Sequence, residues 1–213
     1  IYSTILQTPK QYNSLPFVVK TKKKTNKIKT KFQILMIGKF QQRKGHLLIV
    51  KVLKKLIVKY NISLTMIGEV SNIEHKKNYE ITKTYIKENN LSKNCKIITN
   101  VNYKSIYNYY HNCNLYVLPS HSEPAAISIL EAQGVGRPVV CSDTCGTKYY
   151  LRNNCSKIFK SNDLKSLVNS IKFFLNRKNY YLTFINKSHE NALKRFSDKK
   201  FEGDFEKFLK LNF

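Results

Sequence analysis

The chain has 213 residues, 42% of them hydrophobic, which is enough for one large domain with a sizeable core. No apolar run approaches the ~18 residues of a membrane span. The five cysteines are odd in number and include no Cys-x-x-Cys pair, so neither a disulfide scaffold nor a zinc site is indicated. The formal net charge of +25 is carried almost wholly by lysine scattered along the chain, which reads as solvated surface.

Residues 1–30 are polar and irregular, with Pro9 and Pro16, and read as a linker entering a domain. Their start, Ile1-Tyr2-Ser3-Thr4-Ile5-Leu6-Gln7, lacks the layout of a signal peptide, and a chain beginning at Ile is expected to be a fragment. The lysine-rich run at 20–31 contains no arginine and no interleaved aromatics. It suits a linker or a patch facing an anionic membrane surface better than an RNA-binding tail, and no nucleic-acid partner is expected.

Residues 32–37 form a short apolar run that ends at Gly38, the pattern of a buried strand and a turn. Apolar residues at 47, 48, 50, 53, 56, 57 and 60 predict a helix over 46–60. A second strand at 62–67 again ends at glycine, Gly68, followed by a polar helix over 74–90 and a third strand at 95–98. Tyr103, Tyr107 and Tyr110 recur at helical spacing within 103–113 and read as a core-facing stripe. Then come a strand at 115–118, a helix over 124–134 closed by glycine, and strands at 138–142 and 157–159. A helix over 164–175 and helical residues 180–211 complete the chain, with Ser197 as a cap before Phe201, Phe205 and Phe208. Short apolar strands alternating with helices predict an α/β, Rossmann-like parallel sheet of about six strands, with helices on both faces and C-terminal helices after it. The expected division is a linker, or the end of a missing N-terminal domain, at 1–30, the Rossmann-like domain at 31–178 and C-terminal helices at 179–213.

Three segments follow strand ends and should converge on one crevice, because open parallel sheets bind ligands at the carboxyl ends of their strands. The first, Gly38-Lys39-Phe40-Gln41-Gln42-Arg43-Lys44-Gly45, offers cations on a tight turn. The second runs from Ser120 to Ile127 and brings Glu123 to a helix N-terminus, where amides and the helix dipole favour a phosphate. Glu131 follows eight residues later inside the helix. The third is the small-residue turn Ser142-Asp143-Thr144-Cys145-Gly146-Thr147. Cations and amides suit a diphosphate, while an ionised acid accepts two short bonds from a diol. A nucleotide sugar carries both kinds of group.

The order of these pieces resembles the C-terminal, donor-binding half of a family-4 retaining glycosyltransferase, the group 1 domain of the GT-B fold. The resemblance rests on Gly38-Lys39 with Lys44-Gly45, on Met66-Ile67-Gly68, and on Leu115-Tyr116-Val117-Leu118-Pro119-Ser120. It continues through the Glu-x7-Glu motif from Glu123 to Glu131, Gly136-Arg137-Pro138-Val139-Val140, Ser142-Asp143 and Cys145-Gly146-Thr147. It implies that Lys44 binds the donor diphosphate and that Lys39 stands in for an arginine, with the charge kept and the bidentate fork lost. It implies further that Glu123 meets the donor sugar, that Glu131 holds the ribose hydroxyls, and that the backbone at Ala125, Ala126 and Ile127 faces the phosphates. Where the family has Phe-Gly after Glu-Pro, this chain has Ala125-Ala126. Gly38 shapes the phosphate turn, and the stretch from Thr99 and Asn100 to Val101 matches the loop that meets the base.

The activity so implied is transfer of a hexose from a UDP- or GDP-sugar to a glycan or lipid-linked acceptor, in cell-surface polysaccharide or lipopolysaccharide synthesis. The anomeric configuration is retained and neither metal nor other cofactor is needed. Lys39, Lys44 and Glu123 are the catalytic set, with Glu123 a positioning group. The alternative is a non-catalytic nucleotide-sugar-binding module. Either needs an N-terminal acceptor domain in cis or in trans, and the expected setting is the cytoplasm, peripheral on the inner face of a membrane. Taken singly, Asp143 reads as a turn residue, Ser120 as a loop-shaping residue, Arg43 as a third cation, and His121 as lacking the partner a base needs.

Overall fold

The computed structural model describes residues 31–212, so the linker expected at 1–30 lies outside the described residues. Six parallel strands form one sheet in the order β3-β2-β1-β4-β5-β6. They are β1 (Phe32–Ile37), β2 (Ile62–Gly68), β3 (Cys95–Thr99), β4 (Leu115–Leu118), β5 (Val139–Ser142) and β6 (Ser156–Phe159). The helices are α1 (His46–Leu56), α2 (Ile73–Glu88), α3 (Tyr103–Asn112), α4 (Ile127–Gly134), α5 (Leu164–Leu175), α6 (Tyr181–Phe196) and α7 (Asp198–Asn212). The chain winds outward from β1 to β3, then crosses to β4 and winds the other way. The direction reverses between β1 and β4, where the strand ends open into a crevice.

Period-two alternation sorts the side chains between two cores. Phe32, Ile34 and Met36 of β1 with Leu115 and Val117 of β4 face one side, against Ile49 and Leu53 of α1 and Leu167 and Ile171 of α5. Leu35, Tyr116 and Leu118 face the other, against Tyr107 and Tyr110 of α3 and Ile129 and Ala132 of α4. Each such apolar side chain, when fully buried, contributes about 1.5–3 kcal/mol, so the β1–β4 centre of the sheet is where the fold is anchored.

Three helical stretches differ most from the sequence reading. The helix expected over 46–60 stops at Leu56, where its last turn tightens as Lys59 N–H donates to Leu56 O at 3.1 Å. The helix expected from Pro124 starts only at Ile127. The turn after β5 claims that backbone first: Gly146 N–H donates to Glu123 O at 2.8 Å, and Ala126 N–H to Thr147 Oγ1 at 2.7 Å. The helical stretch expected over 180–211 breaks at Ser197, whose extended backbone (ψ 156°) separates α6 from α7. Ser197 does cap α7, since Lys200 N–H donates to its Oγ at 3.3 Å. Helix α6 is tied to the region around α4 through Ser188 Oγ donating to Arg137 O (2.6 Å) and through His189 Nδ1 on Gly134 O (2.7 Å).

Candidate functional site

Two loops meet at the switch point. After β1, Gly38 N–H still follows the sheet, donating to Ile67 O at 2.9 Å, and the chain then makes a 3-10 turn at Gln42–Lys44. Gly45 ends that turn in the left-handed region (φ 76°) and starts α1. Only glycine fits there, because a Cβ would overlap the carbonyl oxygen of Pro119 in the β4 loop. Serine hydroxyls stitch the loops together. Ser120 Oγ donates to Arg43 O at 2.9 Å, and Ser142 Oγ donates to Ser120 O. Ser120 thus shapes the loop, as its sequence position suggests, and His121 contributes its backbone N–H to Arg43 O at 2.8 Å.

The stitching aims two cations at one acid. Lys44 Nζ and Arg43 Nη1 both bond Glu123 Oε2, the arginine at 3.1 Å. Arg43 Nη1 also donates to Ser122 O at 2.6 Å. The lysine side chain is 13% exposed and the glutamate 6%, so the pair is screened little by solvent. The stem of Lys44 runs over Gly38, where a Cβ would sit 3.5 Å from its Cδ. Two cations against one carboxylate leave the cluster one positive charge in excess, at a partly buried spot beside the N-terminal end of α4. An anion is the natural complement. Beneath the loop, His46 stacks on Phe40 with ring centroids 4.1 Å apart, and its Nε2 lies 3.2 Å from Gly38 O. Burial pushes this imidazole down to about 3, helped by the Lys44 charge and opposed by the Gly38 carbonyl, so it is neutral at pH 7.

Glu131 is buried as deeply, at 5% exposure, and among the described residues its hydrogen-bond partners are phenols. Tyr103 OH donates to its Oε1 at 2.6 Å and Tyr110 OH to its Oε2 at 2.8 Å, while Tyr107 OH donates to Tyr103 OH at 3.0 Å. Burial raises the Glu131 carboxyl, and the two phenol bonds work against that rise. Tyr110 is fully buried, whereas Tyr103, the first residue of α3, is 48% exposed. The tyrosine stripe is therefore only partly core. Its outermost member is a polar partner of the motif's second acid.

The remaining expected residues fall around these clusters. Lys39 pairs with Glu69 across the mouth of β1 and β2, at 3.2 Å and largely exposed. Thr99 ends β3, and Asn100 turns in the left-handed region (φ 54°) with its side-chain oxygen accepting from Val70 N–H at 3.0 Å. Both residues are exposed, and the Asn100 N–H donates to Gly68 O at 3.0 Å. Ala125 is exposed, Ile127 is half-buried, and the Ala126 amide is donated to Thr147. Arg43, ranked below Lys39 in sequence, is the cation placed beside Lys44. The phenols on Glu131 and the hydroxyl of Thr147 lie far from their partners along the chain, so no local spacing announces them. Asp143 is a turn residue, its Oδ1 accepting from Ser161 N–H at 2.9 Å. All five cysteines are free and buried. Among the described residues, no group of three or more His, Cys, Asp or Glu is placed to hold a metal, and no helix is long and apolar enough to cross a membrane.

This crevice lies in a chain whose residues 18–191 match the family model of the glycosyl transferases group 1, and the chain belongs to that family. Its fold is that of the C-terminal half of a GT-B glycosyltransferase. It is 32% identical over 155 residues to Protein CapJ of Staphylococcus aureus, covering 72% of this chain and 38% of that protein. Among solved structures it resembles the sucrose-phosphate synthase of Thermosynechococcus elongatus, with a TM-score of 0.75 and 20% identity over 84% of this chain and 45% of that one. It also resembles Anabaena HepE in complex with UDP and glucose, with a TM-score of 0.75 and 15% identity over 95% and 52%. The C-terminal domain of a group 1 glycosyl transferase (LpcC) from Francisella tularensis is covered to 95% by 83% of this chain, with a TM-score of 0.74 and 14% identity. The chain thus spans about half or less of the first two structures and of CapJ, and nearly all of the isolated C-terminal domain.

Proposed function

We propose that this chain is the donor-binding half of a retaining glycosyltransferase that moves a hexose from a UDP- or GDP-sugar to a glycan or lipid-linked acceptor, in the making of a cell-surface polysaccharide. The observation that carries this reading is the excess positive charge formed by Lys44 and Arg43 over Glu123 at the strand switch point. A donor diphosphate entering there exchanges the Glu123 carboxylate for phosphate oxygens as the partner of both cations. Glu123 is then freed to accept hydroxyls of the donor sugar, whose ring lies next to the diphosphate. As the glycosidic bond breaks, charge accumulates on the leaving phosphate. The two cations and the positive end of α4 are already aimed at it, so little reorganisation is needed. Lys39 reaches the same phosphates by leaving its exposed pair with Glu69, a bond of small cost. No metal has a role in this scheme.

On the far side of the phosphates, Glu131 takes the ribose diol. The exposed loop at Thr99 and Asn100 meets the base, and the free end of α4 at Ile127 supplies amide donors. The acceptor hydroxyl is brought by a second, N-terminal domain in cis or in trans. It attacks on the face from which the phosphate leaves and passes its proton to that phosphate, so configuration is retained. The complex of HepE with UDP and glucose is in keeping with a uridine donor.

Calorimetry on the full chain with UDP, GDP and their hexose conjugates tests this reading. Glu131→Gln should weaken free nucleotide binding about tenfold, through loss of a charge-assisted diol contact. Glu123→Gln should leave free nucleotide within about threefold and remove the added affinity of the sugar. Absence of saturable binding, or binding indifferent to Glu131→Gln, would sink the proposal. In the presence of the acceptor domain, a product of inverted anomeric configuration would sink the retaining step alone.

A further inference from the structure

The phenol on Glu131 is unexplained by the donor scheme. If a ribose diol is to reach Glu131, one of its two present partners must make room, because the acid is almost wholly covered. Tyr110 is itself fully buried and packs against Tyr116, with ring centroids 5.6 Å apart, so it stays. Tyr103 is half exposed, is the first residue of α3, and bonds the acid through its hydroxyl. That contact has the chemistry of a ribose hydroxyl: a neutral O–H donating at 2.6 Å to Oε1. Tyr107 OH donates to the same phenol oxygen and so keeps its proton turned toward the glutamate.

We propose that Tyr103 is a stand-in for the ribose, keeping Glu131 satisfied in the nucleotide-free protein and exchanging with the 2′,3′-diol when a ribonucleotide binds. The proposal rests on the ribose role of Glu131 given above. The exchange has two consequences. Ribonucleotide binding is weaker than an open Glu131 would give, since one charge-assisted bond is broken for each one formed. Release of the nucleoside diphosphate after transfer is faster, because the phenol competes for the place the ribose leaves. A nucleotide without the diol leaves Tyr103 where it is.

The test is calorimetry on the full chain with a ribonucleoside diphosphate, UDP or GDP, and with its 2′,3′-dideoxy counterpart. Tyr103→Phe should tighten the ribonucleotide about tenfold and leave the dideoxy form within about twofold, as expected for removing one competing bond to a charged acceptor. Weaker or unchanged ribonucleotide binding, or equal tightening of both forms, overturns the proposal. The chain has no tryptophan, so its tyrosine emission can be followed directly. Emission should rise on adding the ribonucleotide to the unmodified protein, as a carboxylate-quenched phenol is released, and the rise should be missing in Tyr103→Phe. No rise in the unmodified protein counts against the exchange even if the variant folds poorly. No preference for the ribonucleotide in either the native chain or Tyr103→Phe refutes the ribose role of Glu131. A preference abolished by Glu131→Gln but untouched by Tyr103→Phe refutes the stand-in alone.

Discussion

The two acids of the Glu-x7-Glu motif have the same chemistry and nearly the same burial, yet their surroundings are opposite. Glu123 sits on a loop, held by two cations carried in from another loop. Glu131 sits within helix α4, held by two phenols carried in on α3. Burial alone therefore does not decide what a carboxylate is for. A cation partner marks an acid whose counter-charges can be handed to an anion. A hydroxyl partner marks an acid already dressed as it would be with a neutral diol. The difference also separates what holds each region in place, since the Glu123 side depends on loop conformation and the Glu131 side on helix packing.

The comparison is broken most severely through Gly45. Gly45→Ala forces a side chain into the left-handed region and against the Pro119 carbonyl, and should lower stability by more than about 2 kcal/mol. Urea unfolding would show it. In the fraction that stays folded, binding at the Glu123 side should suffer while the preference for ribo- over dideoxynucleotide persists. An Ala at 45 as stable as the native chain would mean that the loop pair is not the frame of the cation side. Lys44→Met comes next. It keeps the stem over Gly38 and removes the charge, so nucleotide-sugar affinity should fall about 10- to 100-fold, the loss of a charge-assisted contact. A loss smaller than about threefold in calorimetry would transfer the role to Arg43.

The smallest effect is a pH slope that sharpens the contrast. His46, under the cation loop, has its folded-state value lowered from 6.5 to about 3, so the unfolded chain binds the proton first. Its contribution is fully present above pH 6.5 and is lost as pH falls toward 3, at a slope of up to about 1.4 kcal/mol per pH unit. Glu131 has the opposite sign: its raised value means that the folded state holds the proton more tightly, a contribution present at low pH and lost as pH rises past 4.5. Unfolding curves between pH 7 and 5 should steepen with acid in the native chain and flatten in His46→Gln. Parallel curves would show that His46 titrates freely.

Much of this was legible in the sequence, and the reason is periodicity. Strands with glycine at their ends, such as Ile62–Gly68, and an acid pair framed by a strand and a helix are local patterns, and each reappears as an element at the sheet's carboxyl edge. What was not legible depends on contacts between distant segments. Helical spacing made Tyr103 look like core, because spacing reports which face a residue shares and not how far from solvent its helix end lies. Charge and spacing place Lys39 ahead of Arg43 but do not report which contacts each makes. The 3-10 turn at Gln42–Lys44 turns Arg43 toward Glu123, while Glu69, the residue after β2, pairs with Lys39. The late start of α4 was hidden because the group that claims the Ala126 amide, Thr147, belongs to another loop.

The serine-linked loops carry one further implication. Arg43 O, Ser120 and Ser142 are joined in series, and Glu123 and Gly146 extend the join, so three loops from β1, β4 and β5 are held as a single hydrogen-bonded piece. A chimera that swaps one of them from a relative would present mismatched carbonyls and hydroxyls to the other two. Donor preference in such relatives should therefore travel by exchange of all three loops together, with crossovers tolerated inside the helices and not between the turns.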